Sequence, residues 1–430
     1  MELDISAYCS REIVCGCGHT HFCPIRAVVI GADAIEKLPA LCDEHGFSRV
    51  FVAADTNTFA VCGAYVLAAL GSRTVGTLVF ERDGLLVPDE KAVAELTAAM
   101  PADTDFVVGV GSGVINDICK YTTYQKGLEC AIVATAPSMD GYASSGAAMI
   151  TAGMKVTYTT HPPLFILADV NVLCGAPMEM IRAGYGDIIG KSSSLNDWKL
   201  SALIMGEHFC RDIYGLVLSV TDTIRDSAAA ISARDPEAIA FLMKALVLIG
   251  ITLSLLGSTR PGSGSEHHLS HFFEIVGLLR GEPYFIHGTD VAYSTVVTAS
   301  MRERIVNELP DAPVFRTESA EKRTAAWERI YGPIAPEITA LQAEAGVYAR
   351  DMRALYREKW GEIVGILSEC PTAAQIQSMF DAVGFDRAAF VEMYGKQKIA
   401  DAAKYGKDLK NRYSVLWLYY ELFSGERDAE

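Results

Sequence analysis

Apolar residues follow two different periods along the chain, and the change falls near residue 176. Between residues 26 and 175, short β-type runs such as Phe106–Val110 alternate with stretches of helical spacing such as Lys91–Met100. The runs that predict strands are 26–30, 49–54, 74–80, 106–110 and 130–135. Because strands here alternate with helices, we predict a parallel sheet that is covered by helices on both faces.

Beyond residue 176, strand signals are sparse and long stretches have helical apolar spacing. The clearest of these stretches are 237–256, 337–355 and 400–423. We therefore predict three parts: a Cys/His-rich arm over 1–25, an α/β domain over 26–176 and an all-α domain over 177–430.

Composition narrows the classes of function. The 430 residues carry a net charge of −16 and contain no basic run, which argues against nucleic-acid binding but not against a small phosphorylated substrate. The start, Met1–Asp4, is acidic and unlike a secretory signal, and the longest apolar run, 245–257, is too short to span a bilayer. The short run predicts no membrane span, and eleven cysteines without a secretory signal predict a reducing cytoplasm.

Six potential metal ligands crowd the N-terminal arm. They are Cys9, Cys15, Cys17, His19, His21 and Cys23. A small zinc or iron–sulfur loop is one interpretation, although the usual Cys-x-x-Cys pairs are missing. Reduced cysteines in a glycine-containing arm are the other.

A glycine-rich turn, Gly111-Ser112-Gly113, follows the predicted strand 106–110 and precedes the helical stretch 114–121. Glycines let backbone N–H groups approach a pyrophosphate, and a helix N-terminus favours the anion. The turn therefore predicts a dinucleotide site, with an ordinary tight turn as the alternative. Asp55, at the end of an earlier strand, is a candidate ribose acceptor or a simple turn former. In the usual dinucleotide-binding fold the acidic residue follows the glycine-rich turn in sequence. Asp55 precedes the turn here, which predicts a different topology.

The loop 135–144 follows the predicted strand 130–135. Loops at the carboxyl ends of parallel strands bind ligands in open α/β sheets. Its hydroxyl groups (Thr135, Ser138 and Ser144) suit cofactor or substrate contacts, and Asp140 is a candidate partner for a substrate hydroxyl. An ordinary Pro-Ser-x-Asp-Gly turn is the alternative.

Four of the nine histidines fall at positions 267, 268, 271 and 287. His267 and His271 are four residues apart, so a helix presents them on one face. With His287 they predict a divalent-metal site, and surface histidines at a helix start are the alternative. Asp187 lies beside Gly186 in a helical stretch that begins near Pro177, and it is the candidate carboxylate ligand. An aspartate next to a glycine disfavours helix formation, and such a departure from local preference more often marks a functional residue than a packing residue. A solvated aspartate is the other interpretation.

Five segments together resemble one family. They are Gly-Ser-Gly-Val-Ile-Asn-Asp (111–117), Thr-Ala-Pro-Ser-Met-Asp-Gly-Tyr-Ala-Ser (135–144), Ala-Gly-Tyr-Gly-Asp-Ile-Ile-Gly-Lys (183–191), Ser-Thr-Arg-Pro-Gly-Ser-Gly-Ser-Glu-His-His-Leu-Ser-His (258–271) and His-Gly (287–288). In this order they resemble the sn-glycerol-1-phosphate dehydrogenases of the bacterial AraM type. These belong to the dehydroquinate synthase-like and iron-containing alcohol dehydrogenase superfamily. The resemblance covers roughly residues 25–300.

The resemblance implies that NAD(P)H reduces dihydroxyacetone phosphate to sn-glycerol 1-phosphate with the help of a divalent metal. It implies a nucleotide-binding α/β domain and a helical domain that binds metal and substrate. Asp187, His267 and His287 match the family's metal ligands. Asp140 and Asp187 match residues that contact the substrate. His271 matches a residue that contacts the substrate or relays a proton. With Gly111 from the glycine-rich turn, the predicted cofactor contacts are Asp55, Gly111, Gly113, Val114, Ile115, Asn116, Asp117, Thr135, Ala136, Pro137, Ser138 and Ser144.

Several choices stay open at the level of sequence. Zn²⁺ is the default metal, with Ni²⁺ or Fe²⁺ as alternatives. Asp55 favours NADH because it would repel a 2′-phosphate. Arg260 and the backbone of 263–265 are our own candidates for the substrate phosphate.

Other functions on the same fold also remain open. They are dehydrogenation of an unphosphorylated polyol, a dehydroquinate synthase-like lyase or cyclase reaction, and a non-catalytic role. A homodimer is left open as well.

Overall fold

A computed structural model describes residues 3–82, 84, 86–151 and 154–427. Contacts divide the chain into two compact units. The first unit comprises residues 1–188 and 226–259, and the second comprises 189–225 and 260–430. Stretches 177–188 and 226–259 therefore group with the first unit, whereas the three-part division expected from sequence stays a prediction.

The first unit contains ten of the strands that the described residues form. They are β1 (Glu12–Val14), β2 (Thr20–Phe22), β3 (Ala27–Gly31), β4 (Val50–Asp55), β5 (Thr74–Phe80), β6 (Phe106–Gly111), β7 (Glu129–Ala134), β8 (Gly146–Thr151), β9 (Met154–Thr159) and β10 (Phe165–Asp169). Its helices are α1 (Leu38–His45), α2 (Thr56–Thr58), α3 (Ala64–Leu70), α4 (Glu90–Ala99), α5 (Gly113–Lys126), α6 (Val170–Gly175), α7 (Met178–Ile189), α10 (Ala228–Ser232) and α11 (Pro236–Leu256).

The second unit is built almost entirely of helices. They are α8 (Lys191–Met205), α9 (Arg211–Asp226), α12 (Ser265–Arg280), α13 (His287–Glu308), α14 (Ala320–Tyr331), α15 (Ala335–Ala345), α16 (Arg353–Ser368), α17 (Ala373–Ala382), α18 (Ala389–Tyr405) and α19 (Val415–Phe423). Two short strands, β11 (Arg316–Thr317) and β12 (Glu426–Arg427), pair antiparallel. The predicted combination of an α/β half and a helical half is confirmed.

Six strands of the first unit form a parallel sheet in the order β3-β10-β7-β6-β4-β5. Every pairing in it is parallel. The middle strands are buried along their length because apolar side chains cover both faces. All strands point the same way, so Asp55, Gly111 and Ala134 end at one edge of the sheet. The five strands predicted from sequence all lie in this sheet, within one residue of their expected bounds.

Two antiparallel hairpins of the first unit, β1–β2 and β8–β9, were not expected from sequence. The strands of the first are only three residues long and rich in polar residues, so they carry no clear period. In β8 partly and fully buried positions alternate, but its small residues, such as Gly146 and Ala147, make weak strand signals.

The apolar run near residue 250 belongs to α11, whose 18-residue window reaches a mean hydropathy of 2.4. Asp235 caps its start by accepting hydrogen bonds from the N–H groups of Glu237 and Ala238, and Gly257 ends it in the left-handed conformation. Of that window, 72% is buried inside the protein. This is the burial expected of a core helix.

Two of the long helices predicted in the second unit are each interrupted. The 337–355 stretch breaks at Gly346, where φ is +63°, and the 400–423 stretch breaks between α18 and α19. The buried carboxylate of Asp408 holds the second break, because it accepts hydrogen bonds from Trp327 Nε1 at 2.8 Å and Tyr348 Oη at 2.7 Å. These partners are distant in sequence, so helical periodicity alone could not reveal the break.

Candidate active site

The glycine turn, residues 111–113, connects β6 to α5 at the carboxyl edge of the sheet. A Cβ on Gly111 would lie 2.6 Å from Cγ1 of Ile115, so the turn tolerates only glycine there. The Ser112 side chain makes no capping hydrogen bond to any residue that the structure describes. The first N–H groups of α5 therefore have no side-chain cap at Ser112, which is the arrangement that helix N-termini use to bind phosphate.

The loop over residues 135–144, which is predicted to contact the substrate and which we call the substrate loop, lies beside this turn. The N–H of Thr135 donates to the carbonyl of Gly111 at 3.0 Å. Asn116 Nδ2 donates to the carbonyl of Gly141 at 3.3 Å. The hydroxyl-bearing residues of the loop, Thr135, Ser138 and Ser144, are mostly buried. The structure thus brings the glycine turn and the substrate loop together, and their individual cofactor contacts stay predictions.

Lys120 is a fully buried cation that sequence reasoning missed. Its Nζ donates to the carbonyls of Gly141, Ser144 and Gly146 and pairs with Asp117 at 3.1 Å. Asp117 also accepts a hydrogen bond from the N–H of Ala148. The side chains of Asn116 and Asp117, predicted cofactor contacts, are thus engaged in holding the loop. Polar residues at 116, 117 and 120 share one face of α5, and that spacing was the available signal.

Two glycines let neighbouring helices approach the substrate loop closely. A Cβ on Gly184, in α7, would overlap the carbonyl oxygen of Pro137, and a Cβ on Gly250, in α11, would lie 2.6 Å from the carbonyl oxygen of Asp140. Close packing also positions Asp187, which is completely buried in the last turn of α7. Its Oδ2 accepts a hydrogen bond from the N–H of Asp140 at 2.9 Å. The structure therefore connects these two predicted site residues directly.

Asp55 lies at the end of β4 and begins α2. Its Oδ1 accepts a hydrogen bond from the N–H of Thr58 at 2.9 Å, and the Thr58 hydroxyl interacts with the backbone of Asp55 in return. This capping box explains an aspartate at the position without a cofactor. The side chain stays partly exposed at the carboxyl edge, so a contact with adenosine remains a prediction.

In the second unit, three predicted histidines form a cluster at the N-termini of α12 and α13. The ring centroids of His267 and His287 are 5.1 Å apart, those of His271 and His287 are 5.6 Å apart, and those of His267 and His271 are 6.2 Å apart. We call His267, His271 and His287 the histidine cluster.

Glu266 orients the first ring of the cluster. Its Oε1 lies 2.7 Å from Nδ1 of His267 and also accepts the N–H of Gly264 at 2.8 Å. Because a carboxylate at Nδ1 favours the tautomer with the proton there, Nε2 of His267 keeps its lone pair for a metal ion. Glu266 is completely buried, and sequence reasoning missed its role. The sequence feature that could have indicated this role is the position of a charged residue directly beside a predicted metal ligand at the start of a helix.

The start of α12 is held by a second buried carboxylate. Asp197 accepts the N–H of Ser265 at 2.6 Å and that of Val415 at 2.9 Å, and it pairs with Arg302 at 2.8 Å. The N–H groups of Gly264 and Ser265, predicted to bind substrate phosphate, therefore already donate to carboxylates. These contacts count against a phosphate nest at this helix start.

Arg260, the other residue predicted to bind phosphate, is 3% exposed. Its Nε donates to both carboxylate oxygens of Glu207, at 2.9 and 2.7 Å, and an Nη donates to the carbonyl of Tyr413 at 2.8 Å. These contacts are sufficient to explain the residue structurally. Its phosphate-binding role stays a prediction without geometric support.

His268 lies outside the cluster. The side chain is completely buried, and its ring nitrogens make no hydrogen bond to the residues that the structure describes. Burial lowers the pKa of His268 well below its ordinary value, because an apolar environment disfavours the imidazolium ion. His268 is therefore a neutral imidazole packed in the core.

Comparison with known proteins identifies relatives of this chain. The family described as iron-containing alcohol dehydrogenase matches residues 29–177. The chain is 35% identical to a glycerol-1-phosphate dehydrogenase [NAD(P)+] of Halalkalibacterium halodurans over 67% of this chain and 73% of that protein. It is 31% identical to the protein of the same name from Bacillus licheniformis over 86% of this chain and 98% of that protein.

Solved structures share the fold. A maleylacetate reductase from Rhizobium sp. strain MTP-10005 aligns with a TM-score of 0.62 over 95% of this chain and 99% of that one. A glycerol dehydrogenase from Schizosaccharomyces pombe aligns with a TM-score of 0.53 over 87% and 93%. Their sequence identities are 13% and 20%, so these matches inform on the fold alone.

Proposed function

The chain belongs to the glycerol-1-phosphate dehydrogenase family, and from that premise we propose how its residues carry out the reaction. It is an NAD(P)-dependent oxidoreductase that reduces dihydroxyacetone phosphate to sn-glycerol 1-phosphate. The reaction consumes one hydride from the nicotinamide and one proton. The family's metal dependence and the chain's set of His and Asp side chains agree with a divalent ion.

The ion's ligands are Asp187, His267 and His287. The observation that carries this assignment is the contact between Glu266 and Nδ1 of His267, since metal-binding histidines almost always donate their second N–H to a carboxylate or carbonyl. The Nδ1 of His287 lies 3.4 Å from the Ser270 hydroxyl. The ring centroids of His267 and His287 in the second unit are 5.1 Å apart, and Asp187 of the first unit is the carboxylate that we propose as the third ligand. Two imidazoles and one carboxylate also match the composition of catalytic zinc sites.

When bound, the ion supplies Lewis acidity that stabilises negative charge developing on the substrate oxygen. Asp187 supplies one ligand oxygen and accepts the N–H of Asp140 with Oδ2, so ligand and substrate loop are positioned by the same carboxylate. Asp140 contacts a substrate hydroxyl. His271, the cluster member that is not a metal ligand, holds the proton that the product hydroxyl requires.

The cofactor binds at the carboxyl edge of the sheet. The glycine turn and the first turn of α5 contact the pyrophosphate, and the reduced nicotinamide supplies the hydride. Asp55 contacts the adenosine ribose with the carboxylate oxygen that does not cap α2. Because that carboxylate would repel a 2′-phosphate, we propose NADH as the preferred cofactor. Zn²⁺ is the proposed metal. None of the eleven cysteines forms a disulfide, which fits a cytoplasmic location.

An NADH-oxidation assay tests the proposal. Dihydroxyacetone phosphate, dihydroxyacetone and glyceraldehyde 3-phosphate are compared at equal concentration, with and without a chelator. We expect turnover with the first substrate only, its loss after chelation and its recovery when Zn²⁺ is added back. Equal turnover of unphosphorylated dihydroxyacetone would contradict the substrate assignment. Full turnover of metal-free enzyme, checked by elemental analysis, would contradict the metal assignment.

A further inference from the structure

The β1–β2 hairpin in the first unit brings together three side chains that can bind a metal ion, Cys15, Cys17 and His21. None of the three has a role in the proposed reduction. In this hairpin Ile13 is paired with His21. Side chains alternate along a strand, so Cys15, two residues after Ile13, continues the face that carries His21. The turn closes when the N–H of Cys15 donates to the carbonyl of His19 at 3.2 Å and that of Gly18 to the carbonyl of Cys15 at 3.1 Å.

The sulfur and nitrogen atoms in the turn have the spacing of ligands around one ion. Cys17 Sγ lies 3.4 Å from His21 Nε2. With Zn–S and Zn–N bonds of about 2.3 and 2.0–2.1 Å at a tetrahedral angle, these two atoms would be about 3.5 Å apart. The N–H of Cys17 also points to Cys15 Sγ at 3.5 Å. Such N–H···S contacts stabilise the negative charge of a thiolate ligand.

The protonation of His21 follows from its other nitrogen. Nδ1 lies 2.9 Å from the carbonyl oxygen of Leu255, in α11, and His21 is 3% exposed. A carbonyl can only accept, so Nδ1 carries the proton and Nε2 presents its lone pair. A backbone carbonyl at the far nitrogen is the outer contact typical of a histidine that binds metal.

We propose that Cys15, Cys17 and His21 bind a structural Zn²⁺ ion. Two thiolates and an imidazole are soft and borderline ligands that favour Zn²⁺ over Mg²⁺ or Ca²⁺. A structural zinc site takes four ligands, so a fourth donor completes the set that the hairpin supplies. Because His21 is bonded to the backbone of α11, the ion fastens residues 12–22 to that helix. The site stabilises the fold and takes no part in hydride transfer.

Cobalt substitution distinguishes this site from the catalytic one. A thiolate ligand gives bound Co²⁺ an intense charge-transfer absorption in the near ultraviolet. The ligands Asp187, His267 and His287 contain no sulfur, so they cannot produce it. We expect the band in the Co²⁺-loaded full-length enzyme and in His267→Ala, and its loss in the double variant Cys15→Ser/Cys17→Ser.

Zinc content should change in parallel. The wild type should hold about two Zn²⁺ ions per chain, and the double variant and His267→Ala about one each. The double variant should still reduce dihydroxyacetone phosphate but melt several degrees lower. Cys9→Ser is the matched control and should keep both ions and the band, because the Cys9 thiol donates to the carbonyl of Ile5. A double variant that keeps wild-type zinc content and the cobalt band overturns the proposal.

A measurement on the unmutated enzyme guards against misfolded variants. Iodoacetamide labelling followed by mass spectrometry reports the reactivity of Cys15 and Cys17 before and after treatment with a chelator. We expect protection that chelation removes and Zn²⁺ restores. Equal labelling before and after chelation overturns the site.

Discussion

The two units hold their predicted site residues in place by different means. In the first unit, the glycine turn and the substrate loop are shaped by backbone. Close packing of neighbouring atoms is possible because three positions are glycines, Gly111, Gly184 and Gly250. Backbone carbonyl groups accept hydrogen bonds from side chains of α5. In the second unit, the histidine cluster is shaped by buried ionisable side chains such as Glu266. We therefore expect the glycine turn and the substrate loop to be sensitive to substitutions that change side-chain size. We expect the histidine cluster to be sensitive to substitutions that change charge or remove a metal ligand.

His267→Ala should have the largest effect on catalysis. The substitution removes a proposed metal ligand, so activity should fall by well over the roughly 100-fold that loss of an outer contact can cost. Steady-state kinetics with dihydroxyacetone phosphate and zinc analysis of the same preparation measure the effect. Nucleotide binding, followed by NADH fluorescence, should be retained because the glycine turn is unchanged. Near-wild-type activity in a metal-free His267→Ala preparation would show that the cluster is not the metal site.

Glu266→Ala should have the next largest effect. Without the carboxylate, Nδ1 of His267 loses its partner, and metal affinity should fall by about 10- to 100-fold. Titration of the apoenzyme with Zn²⁺ measures this change, and saturating Zn²⁺ should restore much of the activity. Glu266→Gln, which keeps an oxygen acceptor, should lie between the wild type and Glu266→Ala. A loss of activity that excess Zn²⁺ does not relieve, in a folded variant, would assign Glu266 a purely structural role.

Gly184→Ala should have a smaller effect of a different kind. The added Cβ overlaps the carbonyl oxygen of Pro137, so the substrate loop must shift, at a cost of about 1–3 kcal/mol in stability. We expect a lower Tm and a higher KM for NADH with unchanged zinc content. The matched control is Gly215→Ala in α9, where an added Cβ meets nothing within 4 Å. If both variants behave alike, the backbone packing around the loop is not critical.

The same contrast explains what could be predicted from sequence. The parallel sheet follows from the local period of apolar residues. Short motifs in the sequence also single out Asp187, His267, His271 and His287, whose roles stay predictions. The bond from the Asp140 N–H to Asp187, and the three carbonyls around Lys120, join segments that are distant in the chain. These contacts depend on tertiary packing, which the spacing of apolar residues along the chain does not reveal. Arg260 shows the opposite case, because a cation near a predicted site turned out to be engaged by Glu207.

Glu421 tests whether charge also controls the second unit away from the histidine cluster. Burial raises the pKa of Glu421 to about 7, although Arg353 and a hydrogen bond with Tyr356 act in the opposite direction and Asp351 adds to the rise. The unfolded carboxyl has a pKa of about 4.3, so the folded chain binds this proton more tightly. The resulting stability is complete below about pH 4 and is lost as the pH rises through about 7.

Glu421→Gln keeps the neutral shape of the protonated side chain at every pH. The variant should therefore melt at a higher temperature than the wild type at pH 8, and the difference should shrink as the pH is lowered towards 5. Thermal melts across this range measure the trend. Glu392→Gln, at an exposed position of α18, is the control and should show no such dependence. A difference between Glu421→Gln and wild type that is constant with pH would mean that packing, rather than the buried charge, determines stability at this position.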